Sequence, residues 1–233
     1  MLSCLSMGRI AIKVIASTHY NRPKYTKQCF EHLSKCVGIE NYLLVLGVEP
    51  GNQEVIDLCR GINFCDYMLK TNEQRMGCNA NIGDTLGLAF RFSDYVIMLE
   101  DDILFAKDTL LYFEQFEKYK NENLLNISAY HRKSDPNEPY KTTKRRWFTP
   151  WGWATWRNRY EFLTHAWTAK HPSWDCFWND SKMHEIYPVW SRSQNIGWEN
   201  GTYCPGFQFH RENQWVENWA GDQEYEIKEF IYE

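Results

Sequence analysis

The chain carries little that would direct it to nucleic acid, zinc or a membrane. Its 26 Lys and Arg against 30 Asp and Glu leave a net charge of −4. No bulk positive field exists to draw a polyanion, so no nucleic-acid partner is expected. Of the eight cysteines (4, 29, 36, 59, 65, 78, 176 and 204), none forms a C-x-x-C pair or a zinc spacing. Several fall on apolar faces of predicted elements, where a free thiol behaves as a small hydrophobe. That usage points to a reducing compartment and a cytoplasmic location. Arg9 and Lys13 interrupt the apolar stretch near the N-terminus, so neither a signal peptide nor a transmembrane segment is expected. Sequons at Asn126, Asn179 and Asn200 mean little without a secretory route. Internal repeats and low-complexity tracts are absent too, which excludes solenoids and disordered arrays.

What the chain does have is aromatic surface. Phe, Trp and Tyr make up 16% of it, and ten of its eleven Trp lie after residue 150. The first half alternates regularly: strands over Ile10 to Ala16, Tyr42 to Val48, residues 65–70, Tyr95 onward and Leu124 to Tyr130. Helices are predicted between them, with Tyr25, Cys29, Leu33 and Cys36 on one face of the first, then residues 53–60, 78–92 and Asp108 to Lys120. This order predicts an α/β fold with a Rossmann-like, mostly parallel sheet and helices on both faces, followed by an aromatic-rich C-terminal half. Residues 131–146, with Pro136, Pro139, Lys141, Lys144, Arg145 and Arg146, read as a polar loop. It is either a solvated basic segment or an arm facing an anionic ligand. At 233 residues one domain is expected, spanning 1–233, with a nucleotide-binding half (9–130) and an acceptor-binding half (131–233).

The most informative segment is Tyr95-Val-Ile-Met-Leu-Glu-Asp-Asp102, a buried strand ending in three acids. Three adjacent like charges destabilise a fold unless a cation neutralises them, and ligands of open α/β sheets bind at that end of the strands. A hard divalent cation, Mn²⁺ or Mg²⁺, held against a phosphorylated ligand is the reading this favours. The plainer reading is that the acids lead into the next helix, with Asp108 as its N-cap.

Three stretches carry a resemblance: Val14-Ile-Ala-Ser-Thr-His-Tyr-Asn-Arg22, Asn72-Glu-Gln-Arg-Met-Gly-Cys-Asn79 and Leu99-Glu-Asp-Asp102. They resemble nucleotide-sugar glycosyltransferases of the GT-A fold, among them inverting members such as N-acetylglucosaminyltransferase I, whose DxD motif takes the form Glu-Asp-Asp. Later segments, Trp151-Gly-Trp-Ala-Thr-Trp156, Ser173-Trp-Asp-Cys-Phe-Trp178 and Gln194-Asn-Ile-Gly197, are similar to small bacterial and phage sugar transferases. The resemblance implies a metal-dependent, inverting hexosyl- or N-acetylhexosaminyltransferase. Such an enzyme moves a sugar from a UDP-sugar to the hydroxyl of a glycan or other acceptor.

By the same resemblance, Ser17, Thr18, His19 and Arg22 would hold the nucleotide, with Glu49, Arg75 and Asp101. Glu100 would reach the donor sugar; apart from the resemblance, Trp151 and Gly152 are candidates to meet that sugar and Trp153, Trp174 and Trp198 to line the acceptor site, the glycine leaving room for close approach. Trp156 is a further candidate for that wall, since flat indoles stack on the C–H faces of sugars. Asp102 would ligate the metal. Related sequences carry a histidine near Tyr203, so His210 is the candidate second ligand or else a surface residue. Asp175 is the expected general base, its pKa raised by Trp174 and Trp178, with Asp180, Glu199, Glu212 and Asp222 as rivals. Plain structural roles remain open for Arg75, as a surface salt bridge, and for Glu49, as a turn acid. Two other classes compete: a sugar nucleotidyltransferase and a non-catalytic carbohydrate-binding module. The former would place a Gly-rich loop with Arg and Lys after the first strand, where this chain offers neither Gly nor Lys and only Arg22 late in the loop.

Overall fold

The computed structural model describes residues 12–167, 174–199 and 204–233. Its first half is built on β1 (Lys13–His19), which pairs in parallel with β2 (Tyr42–Val48) on one side and β4 (Tyr95–Glu100) on the other; β3 (Asp66–Thr71) extends the sheet beyond β2. Strands β1, β2 and β4 are buried on both faces, and their residues divide with the period of two that a pleated strand imposes. Ile15, Leu44, Leu46, Val48, Ile97 and Leu99 join one core cluster; Val14, Ala16, Val45, Val96 and Met98 join another. Helices α1 (Pro23–Leu33), α2 (Gln53–Arg60) and α4 (Thr109–Glu117) supply the first cluster, and α3 (Cys78–Ala89) the second. The helices begin where local chemistry starts them. Pro23 opens α1 without losing a needed N–H, and the Asn52 side chain accepts from the Val55 N–H at 3.2 Å to cap α2.

The second half continues the same sheet. Strands β6 (Leu124–Ser128), β7 (Lys141–Arg145), β8 (Trp153–Trp156), β9 (His184–Pro188) and β11 (Ile231–Tyr232) complete the order β11-β7-β9-β6-β8-β4-β1-β2-β3 among the described residues. The result is a mixed, mostly parallel sheet, in which β7, β8 and β11 run against the rest. A short antiparallel ribbon of β5 (Ile103–Phe105) and β10 (Ser193–Asn195) stands at the edge where β4 ends. Helices α5 (Arg157–Trp167), α6 (Trp174–Asp180) and α7 (Phe207–Asn213) lie in this half. No described helix is long and apolar enough to cross a membrane.

Several boundaries differ from expectation. The first strand runs later than Ile10–Ala16, whose first two residues lie outside the described part, and it takes in Ser17, Thr18 and His19. These polar residues pair with β2 and β4, so their backbone is ladder and not turn. The 78–92 helix stops at Ala89, the 108–120 helix stops at Glu117, and β6 stops at Ser128 instead of Tyr130. Residues 131–146 are not one loop, because Lys141–Arg145 forms β7. Lys141 meets Glu138 and Glu233, and the Arg145 Nε donates to Glu185 at 2.6 Å. Neither cation is an arm extended to a ligand. Asp108 sits at the N-cap of α4, yet its carboxylate makes no capping bond. It pairs instead with the fully buried Arg192 at 2.9 Å and accepts from the Tyr225 hydroxyl at 2.7 Å.

The Arg145–Glu185 pair shows how this half tolerates buried charge. Glu185 is fully buried, and that burial pushes its pKa up. Arg145, Asn126 and Thr149 pull the other way by donating to the carboxylate, at 2.6–3.1 Å. Burying an acid without such donors would drive it to neutrality.

Candidate functional site

The C-terminal ends of β1, β2 and β4 open into a cavity of about 310 Å³. This is the edge where open α/β sheets place their ligands, because side chains from diverging strand ends converge there on space no helix fills. Thr18 and His19 at the end of β1, and Tyr20, Asn21 and Arg22 after it, form one wall; Glu49 follows β2; Arg75, Gly77, Cys78 and Asn81 come from the start of α3 and its lead-in; Glu100 ends β4, with Asp101 and Asp102 just beyond. Pro150, Trp151, Asp175, Asn195, Gly197, Cys204 and Gln214 supply the opposite side.

Charge in the triplet is balanced by Arg22. Its Nε donates to Asp101 Oδ2 at 3.3 Å and its Nη2 to Asp101 Oδ1, while its Nη1 forms an ion pair with Asp102 Oδ2 at 2.8 Å. Burial works against the guanidinium charge, but Asp102, Asp101 and Glu100 together more than offset it and hold Arg22 protonated. Burial, and then Asp102, push the Glu100 pKa up; burial also raises Asp101, against the pull of Arg22. The Cys78 thiol donates to Glu100 Oε2 at 3.7 Å. The cation that the sequence argument demanded is therefore present within the protein itself, 79 residues away.

The loop walls are fixed by buried polar bonds. His19 is buried between Ser17 Oγ (2.8 Å to Nε2) and Thr26 Oγ1 (3.2 Å to Nδ1). Burial and then Arg22 lower its pKa to about 3, so the ring is neutral at physiological pH. Ser17 does not line the cavity; it orients His19, which does. Glu49 is neither a solvated turn acid nor a freely presented one. It is buried and accepts from the backbone N–H of Met76 (3.0 Å) and Gly77 (2.6 Å) and from Asn72 Nδ2 (3.2 Å). It thereby pins the 72–77 segment, on which Arg75 lies over the Tyr20 ring at 4.7 Å and lines the cavity, not in the surface salt bridge left open as its alternative.

The tryptophans part company. Trp151 reaches the cavity, braced edge-on by Tyr130 at 4.6 Å. Trp153 does not: it is fully buried and packs on Trp178 at 4.8 Å and Phe148 at 5.1 Å, so it is core and not acceptor wall. Trp156 is buried against Tyr95. Trp198 lines a different cavity. Trp174 opens α6, but its side chain lies outside the described residues, as does Tyr203. Gly152 is demanded by packing and not by a ligand. It has φ +83°, and a Cβ there would stand 2.5 Å from the Phe105 ring.

Asp175 lines the cavity from the first turn of α6, a placement held by Asn179, which bonds the Asp175 carbonyl and the Phe148 backbone. None of its rivals, Asp180, Glu199, Glu212 or Asp222, lines that space. His210 is not a surface residue; its ring is engaged by Asn195, and burial lowers its pKa, with Asp102 near enough to act in the raising direction. It is fully buried, and its Nε2 is 3.0 Å from the Asn195 carbonyl.

Does this donor set fit a divalent cation? Among the described residues, no group of three or more His, Cys, Asp or Glu side chains is placed to hold a metal. Asp101 is committed to Arg22 by two hydrogen bonds, whereas Asp102 is held by an ion pair. One carboxylate beside the Arg22 and Arg75 guanidinium groups suits a cation that arrives with phosphates and keeps its own waters. The residues fit a metal carried by a diphosphate, with Asp102 the carboxylate less committed to Arg22 and the His210 Nε2 already facing Asn195.

No protein-family model and no curated protein matches the chain. Solved structures do. The mannosyltransferase PcManGT from Pyrobaculum calidifontis, in complex with GDP-Man and Mn²⁺, aligns over 66% of this chain and 46% of its own, at 15% identity and a TM-score of 0.50. Residues 1–349 of S. aureus TarS align over 76% of this chain and 58% of that one, at 13% identity and a TM-score of 0.50. The chain spans about half the length of these structures. At such identity the likeness concerns architecture. The fold is of the GT-A type.

Several lining residues of this GT-A fold were not legible beforehand. Asn81 donates to the Gly47 carbonyl at 3.1 Å and accepts from Asn72 at 3.0 Å, tying α3 to β2. Gln214 had no motif to signal it. Gly197, inside the Gln-Asn-Ile-Gly segment, turns out to be dictated by Asp102, since a Cβ there would lie 1.9 Å from Asp102 Oδ2 and 2.6 Å from its Cγ. Gly197→Ala should push Asp102 off Arg22 at an overpacking cost of about 1–3 kcal/mol. Nucleotide affinity measured by calorimetry is expected to fall at least tenfold while the melting point drops by only a few degrees. Unchanged affinity would remove Asp102 from the ligand site.

Proposed function

We propose that this chain is a metal-dependent, inverting glycosyltransferase that moves a sugar from a nucleotide diphosphate donor, a UDP-sugar, to an acceptor hydroxyl. The observation that carries this reading is one juxtaposition. The Glu100-Asp101-Asp102 triplet with Arg22 and the carboxylate of Asp175 line the same cavity, at the strand ends of a GT-A fold. One domain is proposed, with β1 to β6 presenting the donor and the remainder presenting the acceptor.

Each residue then has a task set by its chemistry. The β1 loop, with Thr18, His19 and Arg22, and the Glu49-braced segment bearing Arg75 hold the nucleotide. Arg22 places positive charge against the diphosphate, Asp101 holds Arg22, and Glu100 and Trp151 border the sugar. When bound, Mn²⁺ or Mg²⁺ on Asp102 would supply further positive charge, which counts most as the leaving phosphate gains its electron pair. Asp175 takes the proton of the acceptor hydroxyl as that oxygen bonds to the anomeric carbon and the bond from this carbon to the phosphate oxygen breaks.

The test is calorimetric titration of UDP, and in parallel GDP, into the protein with Mn²⁺ and with EDTA. Metal-dependent UDP binding that Asp102→Asn removes is the expected result, followed by hydrolysis or transfer of UDP-sugars. Silence of both nucleotides in both conditions would overturn the reading in favour of a carbohydrate-binding module. Tighter binding of GDP would overturn the UDP assignment alone.

A further inference from the structure

Residues 195–198 form a shared wall. Asn195 and Gly197 line the cavity described above, whereas Ile196 and Trp198 line a second cavity of about 230 Å³, the chain turning tightly at Gly197 where the Trp198 N–H donates to the Ile196 carbonyl at 3.0 Å. We propose that this second cavity receives the acceptor, and that the acceptor is an anionic saccharide bearing a phosphate or carboxylate on or beside the ring presented for transfer. The proposal rests on the transferase reading for the word acceptor, though not for the ligand chemistry.

Three independent features point to that chemistry. First, charge: among the described residues, the lining contains Lys24 and Arg211 and no carboxylate, in a chain of net charge −4. The first cavity, by contrast, is lined by five acids: Glu49, Glu100, Asp101, Asp102 and Asp175. Arg211 also meets the exposed Glu217 at 3.8 Å, a loose pair that an incoming anion would outcompete. Second, shape: Trp198 is 36% exposed, yet it is held in place by the Phe207 ring set edge-on at 5.3 Å. Trp215, half-buried, lines the same cavity, with the Arg211 guanidinium 5.7 Å from its ring. A fixed, accessible indole offers a flat apolar face to the C–H face of a sugar. Third, a waiting acceptor atom: His210 lines the cavity and is fully buried, and its Nδ1 has no hydrogen-bond partner. Because a carbonyl only accepts, the Nε2 facing Asn195 O at 3.0 Å must carry the proton, which leaves Nδ1 with a bare lone pair. Burial lowers the pKa of this ring and keeps it so. An unpartnered buried acceptor costs stability, and a saccharide hydroxyl would satisfy it.

Calorimetric titration of glucose 6-phosphate, glucuronate and glucose into the nucleotide-saturated protein tests this. Both anionic sugars are expected to bind at least about tenfold tighter than glucose, the factor one charge-assisted bond gives. Lys24→Ala/Arg211→Ala should erase that preference, and Trp198→Ala should weaken all three sugars alike. UDP affinity and the melting point of each variant should stay at the wild-type value. A larger gain for the phosphate or for the carboxylate identifies which anion the acceptor carries. Equal binding of glucose, absence of sugar binding, or a preference that survives the double substitution overturns the proposal. Sugar binding in a protein that ignores nucleotides would instead sink the transferase reading and leave the anionic saccharide site standing.

Discussion

Asp175→Asn is expected to lower the rate of sugar transfer by about 10²- to 10⁴-fold, the range for losing a general base, while nucleotide affinity stays within about twofold. The asymmetry follows from placement. Asp175 enters the cavity from α6, whereas the nucleotide would be held by residues after β1, β2 and β4. An amide is nearly isosteric with a carboxylate but cannot take a proton from a hydroxyl. The half-exposed position also makes the neutral substitution cheap for the fold. Single-turnover rates with saturating donor, beside calorimetric affinities, separate the two quantities. Asp180→Asn and Glu212→Gln, whose side chains lie outside the cavity, serve as controls and should change the rate little. A normal rate in Asp175→Asn would place the base elsewhere, and a rate loss matched by lost nucleotide binding would make Asp175 a donor residue.

The parts of this molecule that were legible in advance are those set by periodic burial. Tyr42–Val48 and Gln53–Arg60 lie where the pattern puts them, because a strand buried on both faces and a helix with one apolar face leave unambiguous spacing. The pattern misled where burial and polarity diverge. Ser17, Thr18 and His19 look like a turn, but they are buried ladder residues, with the His19 ring bonded to Ser17 and Thr26. Lys141–Arg145 reads as loop because its charges dominate, yet Thr142 is buried and the chain pairs with β9. Short polar strands near a sheet edge carry no run of apolar residues to announce them.

The site shows the same division. That Asp101 and Asp102 stand at a strand end was readable, as was Asp175 among the aromatics. That Trp153 is core while Trp151 reaches the cavity was not, since both flank Gly152 in one motif. A rich tryptophan content reports large side chains to be buried and does not say against what. Partnerships across long stretches of chain were equally invisible. Glu185 with Arg145, Asp108 with Arg192 and Arg22 with the triplet each join residues whose local sequence gives no hint of the other.

Arg22 is where that blindness matters most, and Arg22→Met should expose it. The substitution keeps an unbranched apolar stem but strips away a largely buried guanidinium that serves Asp101 and Asp102 and lies over the Tyr25 ring. Removing one partner of a buried ion pair costs about 3–5 kcal/mol, because the remaining charges lose their compensation. For a chain of this size that corresponds to a melting point lower by about 6–20 °C, measured in EDTA. The second arm uses the metal. With Arg22 gone, Asp101 and Asp102 become uncompensated carboxylates in the cavity, which are better ligands for a hard cation than in the wild type. Saturating Mn²⁺ should therefore recover part of the lost stability, about 2.7 kcal/mol at a hundred times its dissociation constant, and stabilise the variant more than the wild type. Nucleotide affinity should nevertheless stay depressed if Arg22 meets the diphosphate as proposed, since a cation on the acids does not reproduce the fork of a guanidinium. Equal Mn²⁺ stabilisation of both proteins would mean that Arg22 and the metal do not address the same carboxylates. A variant as stable as wild type in EDTA would mean that the triplet carries no net charge to neutralise, and the cation logic of the site would fail at its first step.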